Sequence, residues 1–105
     1  MNEHDRQIAL QLKQRLSQVV PLLDYRVFGS RARGDADEYS DMDVFVKIEY
    51  LTKDLKEKIS DLTWEVGFEN EMVISALIFT RDELENTPLR SSPIVEAINE
   101  EGVRV

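Results

Sequence analysis

The sequence predicts an α+β fold, close to the α/β type, in which helices pack on a small mixed β-sheet. Three observations support this class. Segments in which apolar residues recur at helical spacing alternate with short runs of β-branched residues. Hydrophobic residues make up 42% of the chain, which suits a globular fold. No internal repeat or Pro/Gly-rich linker divides the chain. The length of 105 residues fits one compact domain that spans residues 1–105. We expect the element order α-β-β-α-β-α-α-β.

The first half of the chain is predicted to contain one amphipathic helix and two strands. The helix should cover about residues 5–20, because apolar side chains recur on one of its faces. These side chains belong to Ile8, Leu12, Leu16 and Val19. Pro21 then discourages the helix from continuing. Tyr25–Phe28 is a short strand candidate, and the β-branched stretch Asp43–Ile48 suits a buried strand.

A second amphipathic helix and a third strand are predicted next. The helix should run from about Lys53 to Phe68, with Thr52 as its N-cap. Its core-facing side chains are Leu55, Ile59, Leu62 and Val66. Met72–Phe79 is apolar on both faces, which favours a central strand that is covered on both sides.

Two short helices and an edge strand are expected at the carboxyl end. Residues 80–83 read Thr-Arg-Asp-Glu, which matches the capping-box pattern and should begin a short helix. Ser92-Pro93 combines an N-cap residue with a proline at the first helical position, so a last helix should follow through about Glu101. Gly102 would end this helix, and Val103–Val105 would form an edge strand.

Composition excludes several classes of function. The net charge of −8 disfavours direct nucleic-acid binding, because affinity for a phosphate backbone needs clustered Lys and Arg. The surplus of acid can equally be a means of keeping the protein soluble. With no cysteine and one histidine, disulfides, thiolate metal sites and His-based zinc sites are excluded. No apolar stretch could span a membrane, and the start MNEHDRQIAL is unlike a signal peptide. We therefore expect a cytoplasmic protein without membrane partners.

The segment most informative about chemistry contains two aspartates, Asp41 and Asp43, at the start of the second predicted strand. Residues two apart in a strand lie on the same face, so both carboxylates should point to one side. Two adjacent carboxylates repel each other unless a cation joins them. Mg²⁺ suits such oxygen ligands, since it commonly binds one or two carboxylates together with substrate phosphates. Asp41 and Asp43 are therefore predicted to be metal ligands and catalytic residues.

A Gly-Ser turn precedes these carboxylates and is a candidate phosphate-binding site. Gly29 lets a phosphate approach the backbone closely, and the helical start that follows presents free N–H groups. The Ser30 hydroxyl can donate one more hydrogen bond to a phosphate oxygen. Arg31 or Arg33 could neutralise the charge that develops on a leaving pyrophosphate. Together with Mg²⁺, these groups provide the parts for phosphoryl-group transfer from a nucleoside triphosphate.

Each of these pieces has a simpler explanation when it is taken alone. An Asp-x-Asp in an acidic protein is most often a solvated loop, a Gly-Ser pair is most often a turn, and surface arginines usually form ion pairs. Their joint spacing is more informative. A Gly-Ser followed by Asp-x-Asp at this distance arises by chance in about one of several hundred chains of this composition.

The segment resembles the nucleotidyltransferase signature of the polymerase-beta superfamily, in which Gly-Ser is followed at a set distance by Asp-x-Asp. The stretches Gly-Ser-Arg-Ala-Arg-Gly and Ser-Asp-Met-Asp-Val are most similar to those of the minimal nucleotidyltransferases, or MNT proteins. The resemblance implies a polymerase-beta-type core with Ser30 in contact with nucleotide phosphate. It also implies that Asp41 and Asp43 hold Mg²⁺, as two ions, and that ATP is the substrate.

The same resemblance implies a protein partner. MNT proteins are commonly paired with a HEPN-domain ribonuclease as antitoxin and toxin, and they silence the ribonuclease by adding AMP to a tyrosine near its active site. The acceptor would then lie outside this domain, on a HEPN ribonuclease toxin that forms a hetero-oligomer with this chain. The leading hypothesis is an antitoxin that transfers AMP from ATP to that partner.

The sequence departs from the superfamily pattern at the third carboxylate, which many members supply from the next strand. The positions that could match carry Val73 or Ser75. Glu71 has the correct parity to act as a third metal ligand, but it can also be a surface acid that lies too early in the chain. Without a third ligand, the second metal is held less firmly and a general base is missing.

Three other functions are weighed against the leading hypothesis. A catalytically weak or inactive module could neutralise the same partner by binding alone, and the missing third carboxylate favours this alternative. An antibiotic nucleotidyltransferase is disfavoured, because 105 residues leave no second domain to enclose a small acceptor. Nucleic-acid polymerisation is disfavoured by the net charge of −8.

Overall fold

The structure, a computed structural model that describes all 105 residues, is a four-stranded mixed β-sheet surrounded by five α-helices. The helices are α1 (Glu3–Ser17), α2 (Ser30–Arg33), α3 (Lys53–Glu69), α4 (Arg81–Asn86) and α5 (Pro93–Glu101). The strands are β1 (Asp24–Phe28), β2 (Met42–Ile48), β3 (Ile74–Thr80) and β4 (Val103–Arg104). The predicted α+β class is confirmed, and the predicted helical start after Gly29 is the short helix α2. None of the helices is both long and apolar enough to cross a membrane.

The sheet places the end of β1 next to the start of β2. Its strand order is β3-β2-β1-β4, with β1 antiparallel to both β2 and β4, and with β2 parallel to β3. The parallel pair is joined by α3, since parallel neighbours need a crossover connection. In this register Asp43 lies opposite Phe28 and beside Ser75.

Different helices cover the two faces of the sheet. α1 and α3 cover the face on which the main core lies. The β2 residues in that core are Met42, Val44, Val46 and Ile48. A smaller cluster of Phe28, Phe45 and Ile98 places α5 on the opposite face. Because side chains alternate along a strand, Asp43 lies on the same face as Phe45, away from the main core.

Local capping signals in the sequence give the helix starts that they predict. The Thr52 and Ser92 hydroxyls each accept a hydrogen bond from a backbone N–H in the first turn of α3 and α5. Thr80 and Glu83 form the reciprocal capping box at the start of α4. The predicted strand at the carboxyl end also forms, as the edge strand β4.

Two predictions about the packing are wrong. The apolar run that was expected to be a central strand forms β3, which lies at an edge of the sheet, and Leu77 within it is exposed. The first helix ends at Ser17 rather than continuing to Val20. Val19 therefore lies outside the helical stripe and is exposed, while Val20 is buried in its place.

Candidate active site

The turn at Gly29 connects β1 to α2 and lies directly against Asp43. Gly29 has a φ of +77°, a value that side chains with a Cβ rarely adopt. A Cβ at this position would lie 2.6 Å from the Asp43 Oδ2 atom, so glycine is also required by the close approach of that carboxylate. The structure thus brings Gly29, which directly precedes Ser30, against Asp43.

Asp41 and Asp43 form a pair of neighbouring negative charges at the start of β2. Asp41 directly precedes the strand and is exposed, whereas Asp43 is half-buried. Burial and then the charge of Asp41 raise the pKa of the Asp43 carboxyl, although the charge of Arg33 partly opposes them. The two carboxylates therefore interact electrostatically across the fully buried Met42 that separates them in sequence.

This carboxylate pair fits a divalent metal ion. Burial and the neighbouring charge of Asp41 disfavour the ionised form of Asp43 and raise its pKa, and a bound cation would offset this effect. The ligands are oxygen atoms, which Mg²⁺ prefers, and substrate phosphates commonly complete its coordination. The residues that would hold Mg²⁺ are Asp41 and Asp43.

Arg33 is the arginine of the motif whose side chain is accessible to a ligand at the site. Its guanidinium is about half exposed and forms ion pairs with Asp35 and Glu101, each at 3.1 Å. Exposed ion pairs of this kind are weak and exchange readily with solvent or ligand. Because Arg33 also acts on the pKa of Asp43, its charge lies close enough to influence the carboxylate pair.

Arg31 occupies a different position from the one predicted for a nucleotide-binding residue. Its buried guanidinium pairs with the buried carboxylate of Asp5 in α1 at 2.9 Å and donates a hydrogen bond to the backbone carbonyl of Ser40 at 2.9 Å. It also donates to the carbonyls of Asp37 and Glu38. Arg31 therefore anchors the loop that leads to Asp41, and its guanidinium is engaged within the protein.

Asp5 is a supporting residue of the site that the sequence did not single out. It lies on the apolar face of α1, three residues before the buried Ile8. A carboxylate on that face was the available signal, because a buried charge needs a partner. Nothing in the sequence identified that partner as Arg31.

The structure does not join Glu71 to the two aspartates. Glu71 lies in the turn between α3 and β3, with a left-handed φ of 53°, and is exposed. No group of three or more His, Cys, Asp or Glu side chains in the chain is arranged to hold a metal ion. The β3 residue beside Asp43 is Ser75, so this candidate position for a third carboxylate carries a hydroxyl group.

The Gly29 turn provides a test of the site. We expect Gly29→Ala to lower the free energy of unfolding by about 1–3 kcal/mol, because alanine would be held at a strained φ. The added Cβ should also displace the Asp43 carboxylate, which it would otherwise contact at 2.6 Å. Binding of ATP in the presence of Mg²⁺, measured by calorimetry, should then weaken strongly. Gly34→Ala is the matched control, since Gly34 has a similar φ of +86° but a Cβ added there would meet no atom within 4 Å. Equal loss of ATP binding in both variants would contradict the role of the Gly29–Asp43 contact.

Comparisons with known sequences identify related proteins. A family model described as "Nucleotidyltransferase domain" matches residues 6–103. The Methanocaldococcus jannaschii protein named "Putative protein adenylyltransferase MJ0141" is 32% identical over 94 residues. The aligned region covers 82% of this chain and 89% of that protein.

Two solved structures share the fold. The first, "Structure of putative minimal nucleotidyltransferase", has a TM-score of 0.68 and 21% identity, and the match covers 98% of this chain and 94% of that chain. The second, "Crystal structure of the toxin-antitoxin with AMP-PNP", has a TM-score of 0.63 and 18% identity, with coverage of 91% and 70%. At these identities the likeness establishes the fold.

Proposed function

The chain belongs to the nucleotidyltransferase-domain family, and we propose that it transfers AMP from ATP to a hydroxyl group of a separate partner protein. The observation that carries this proposal is the contact between the Asp43 carboxylate and the Gly29 turn, with Asp41 beside it. A cation held by these carboxylates would lie next to a backbone turn that a phosphate can approach.

In the proposed reaction, the acceptor hydroxyl oxygen bonds to the α-phosphorus of ATP and loses its proton to solvent. The bond from that phosphorus to the bridging oxygen breaks, and pyrophosphate leaves. Gly29 and Ser30 hold the phosphates, while Arg33 offsets the negative charge that develops on pyrophosphate. Mg²⁺ bound by Asp41 and Asp43 would stabilise the charge of the transferred group.

We further propose that the partner is a HEPN-domain ribonuclease toxin, that the acceptor is one of its tyrosines, and that this chain is the antitoxin. The name of the M. jannaschii relative supports a protein acceptor, and the shared fold with a toxin–antitoxin structure containing AMP-PNP supports a toxin partner. The HEPN domain and the tyrosine rest on the resemblance of the Gly29–Asp43 segment to the MNT proteins. Charge supports it too, because a chain with a net charge of −8 is attracted to a basic, RNA-binding partner.

A second candidate function is neutralisation by binding alone. The presence of Ser75, rather than a carboxylate, beside Asp43 favours it, because the site then lacks a third metal ligand and a general base. In this case the complex would form and block the toxin without chemistry.

Mass spectrometry of the separated partner distinguishes the two functions. The purified chain is incubated with ATP, Mg²⁺ and a HEPN ribonuclease encoded beside it, and the ribonuclease is then isolated. Transfer predicts that the ribonuclease stays inactive and is about 329 Da heavier per AMP added. An unchanged mass, together with activity that returns on separation, would establish masking and refute transfer.

A further inference from the structure

The two edges of the β-sheet differ in how they are protected. The β4 edge has only two residues, and its Arg104 is held in an ion pair with Asp24. The β3 edge has seven residues, Ile74–Thr80, without a charge or a proline. Proteins normally protect a free edge with short strands, charges or prolines, because unpaired backbone groups bind other strands. The β3 edge has none of these features.

An exposed apolar groove lies beside this unprotected edge. Trp64 and Phe68 of α3 are 67% and 71% exposed, and their rings stack at 5.1 Å with an interplanar angle of 13°. The groove has a volume of about 570 Å³ and runs between these rings and the inner side of β3, where it is lined by Ala76 and Ile78. An apolar groove of this kind is typical of an interaction surface.

Charge indicates which molecule fits the groove. Lys56, Ser60, Trp64 and Phe68 follow one another at intervals of four residues, so they form one stripe along α3. The stripe begins with a positive charge at Lys56, and the groove ends with a negative charge at Glu71, beyond Phe68. A second, inverted copy of the same stripe would bring Lys56 of one copy toward Glu71 of the other, with the aromatic rings between them.

We propose that the α3–β3 surface is a self-association interface, on which a second copy of this chain binds across a two-fold axis. The two β3 strands pair antiparallel and extend the sheet from four strands in each copy to one continuous sheet. The aromatic stripes then cover each other. Asp43 and Ser75 lie on the opposite face of the sheet, so the candidate active site stays open in the dimer.

Sedimentation equilibrium over a wide concentration range tests this proposal. We expect a monomer–dimer equilibrium, together with a blue shift of tryptophan emission as concentration rises, because Trp64 is the single tryptophan of the chain. Phe68→Glu should weaken dimerisation by about 30-fold or more, as expected for a buried aromatic anchor. Tyr50→Glu changes a similarly exposed aromatic residue outside the groove and should leave the equilibrium unchanged.

Charge reversal provides the sharper test of the two-fold arrangement. Lys56→Glu alone should weaken the dimer several-fold, whereas Lys56→Glu combined with Glu71→Lys should restore it, because the reversed charges again face each other. A chain that is monomeric at every concentration would overturn the proposal. So would a dimer that is insensitive to Phe68→Glu, or a double reversal that fails to restore dimerisation.

Discussion

We expect the Asp41→Asn plus Asp43→Asn variant to have a rate of nucleotidyl transfer at least about a thousandfold lower, because it removes both charges that would hold Mg²⁺. The amide oxygens that remain bind a divalent cation far more weakly than carboxylates do. Transfer is measured as the appearance of labelled AMP on the partner protein. Full activity in this variant would refute the assignment of Asp41 and Asp43 as metal ligands.

The same variant should fold as well as the parent chain or slightly better. The folded-state pKa of Asp43 is raised by burial and by Asp41, so the ionised carboxyl opposes folding at neutral pH. Replacing it with asparagine removes that penalty. The difference in stability should disappear as the pH falls below the unfolded-state pKa of about 3.9, where Asp43 is protonated in both states. Thermal unfolding at several pH values measures this.

The loss of activity also needs a control for net charge. Glu96→Gln plus Glu100→Gln removes two negative charges from the exposed side of α5, which carries no predicted site residue. We expect this variant to keep its transfer activity. If it lost activity to the same degree, the effect of the aspartate changes would have to be assigned to the overall charge of the chain.

The features that the sequence predicted well are those encoded by neighbouring residues. Thr52, Ser92 and the Thr80–Glu83 box each determine a helix start through contacts within a single turn, so no tertiary information was needed. These parts of the fold are consequences of local chemistry.

The features that the sequence did not predict depend on contacts between distant residues. An apolar strand has the same residue pattern at the centre of a sheet and at an edge, so the sequence predicts a central position for β3, whereas the structure places it at an edge. Arg31 appears beside Arg33 in the motif, yet only the packing of α1 shows that one is buried and the other exposed. The pairing of Arg31 with Asp5 has no local signature.

The buried Asp5–Arg31 pair gives the largest expected effect on stability. We expect Asp5→Ala to lower the free energy of unfolding by about 3–5 kcal/mol, because it leaves the buried guanidinium of Arg31 without its counter-charge. That loss is a large fraction of the roughly 5–15 kcal/mol by which a domain of this kind is stable. Urea denaturation of the variant and the parent chain measures the difference.

An exposed ion pair with similar geometry provides the matched control. Arg15 and Glu69 also join two helices and lie 2.7 Å apart, but their side chains are 30% and 48% exposed, compared with 7% and 4% for Arg31 and Asp5. Glu69→Ala should therefore cost no more than about 1 kcal/mol. If Asp5→Ala cost as little as Glu69→Ala, burial would not be the reason that Arg31 needs Asp5.

The consequence for function follows from the groups that Arg31 holds. Its guanidinium donates to three backbone carbonyls of the loop before Asp41, so losing its orientation should loosen the segment that positions that carboxylate. Arg31→Lys tests this while keeping the positive charge, because an ammonium cannot reproduce the fork of donors. We expect Arg31→Lys to weaken Mg²⁺-dependent ATP binding under conditions in which the variant is still folded. Unchanged ATP binding in a folded Arg31→Lys variant would show that the anchor serves stability alone.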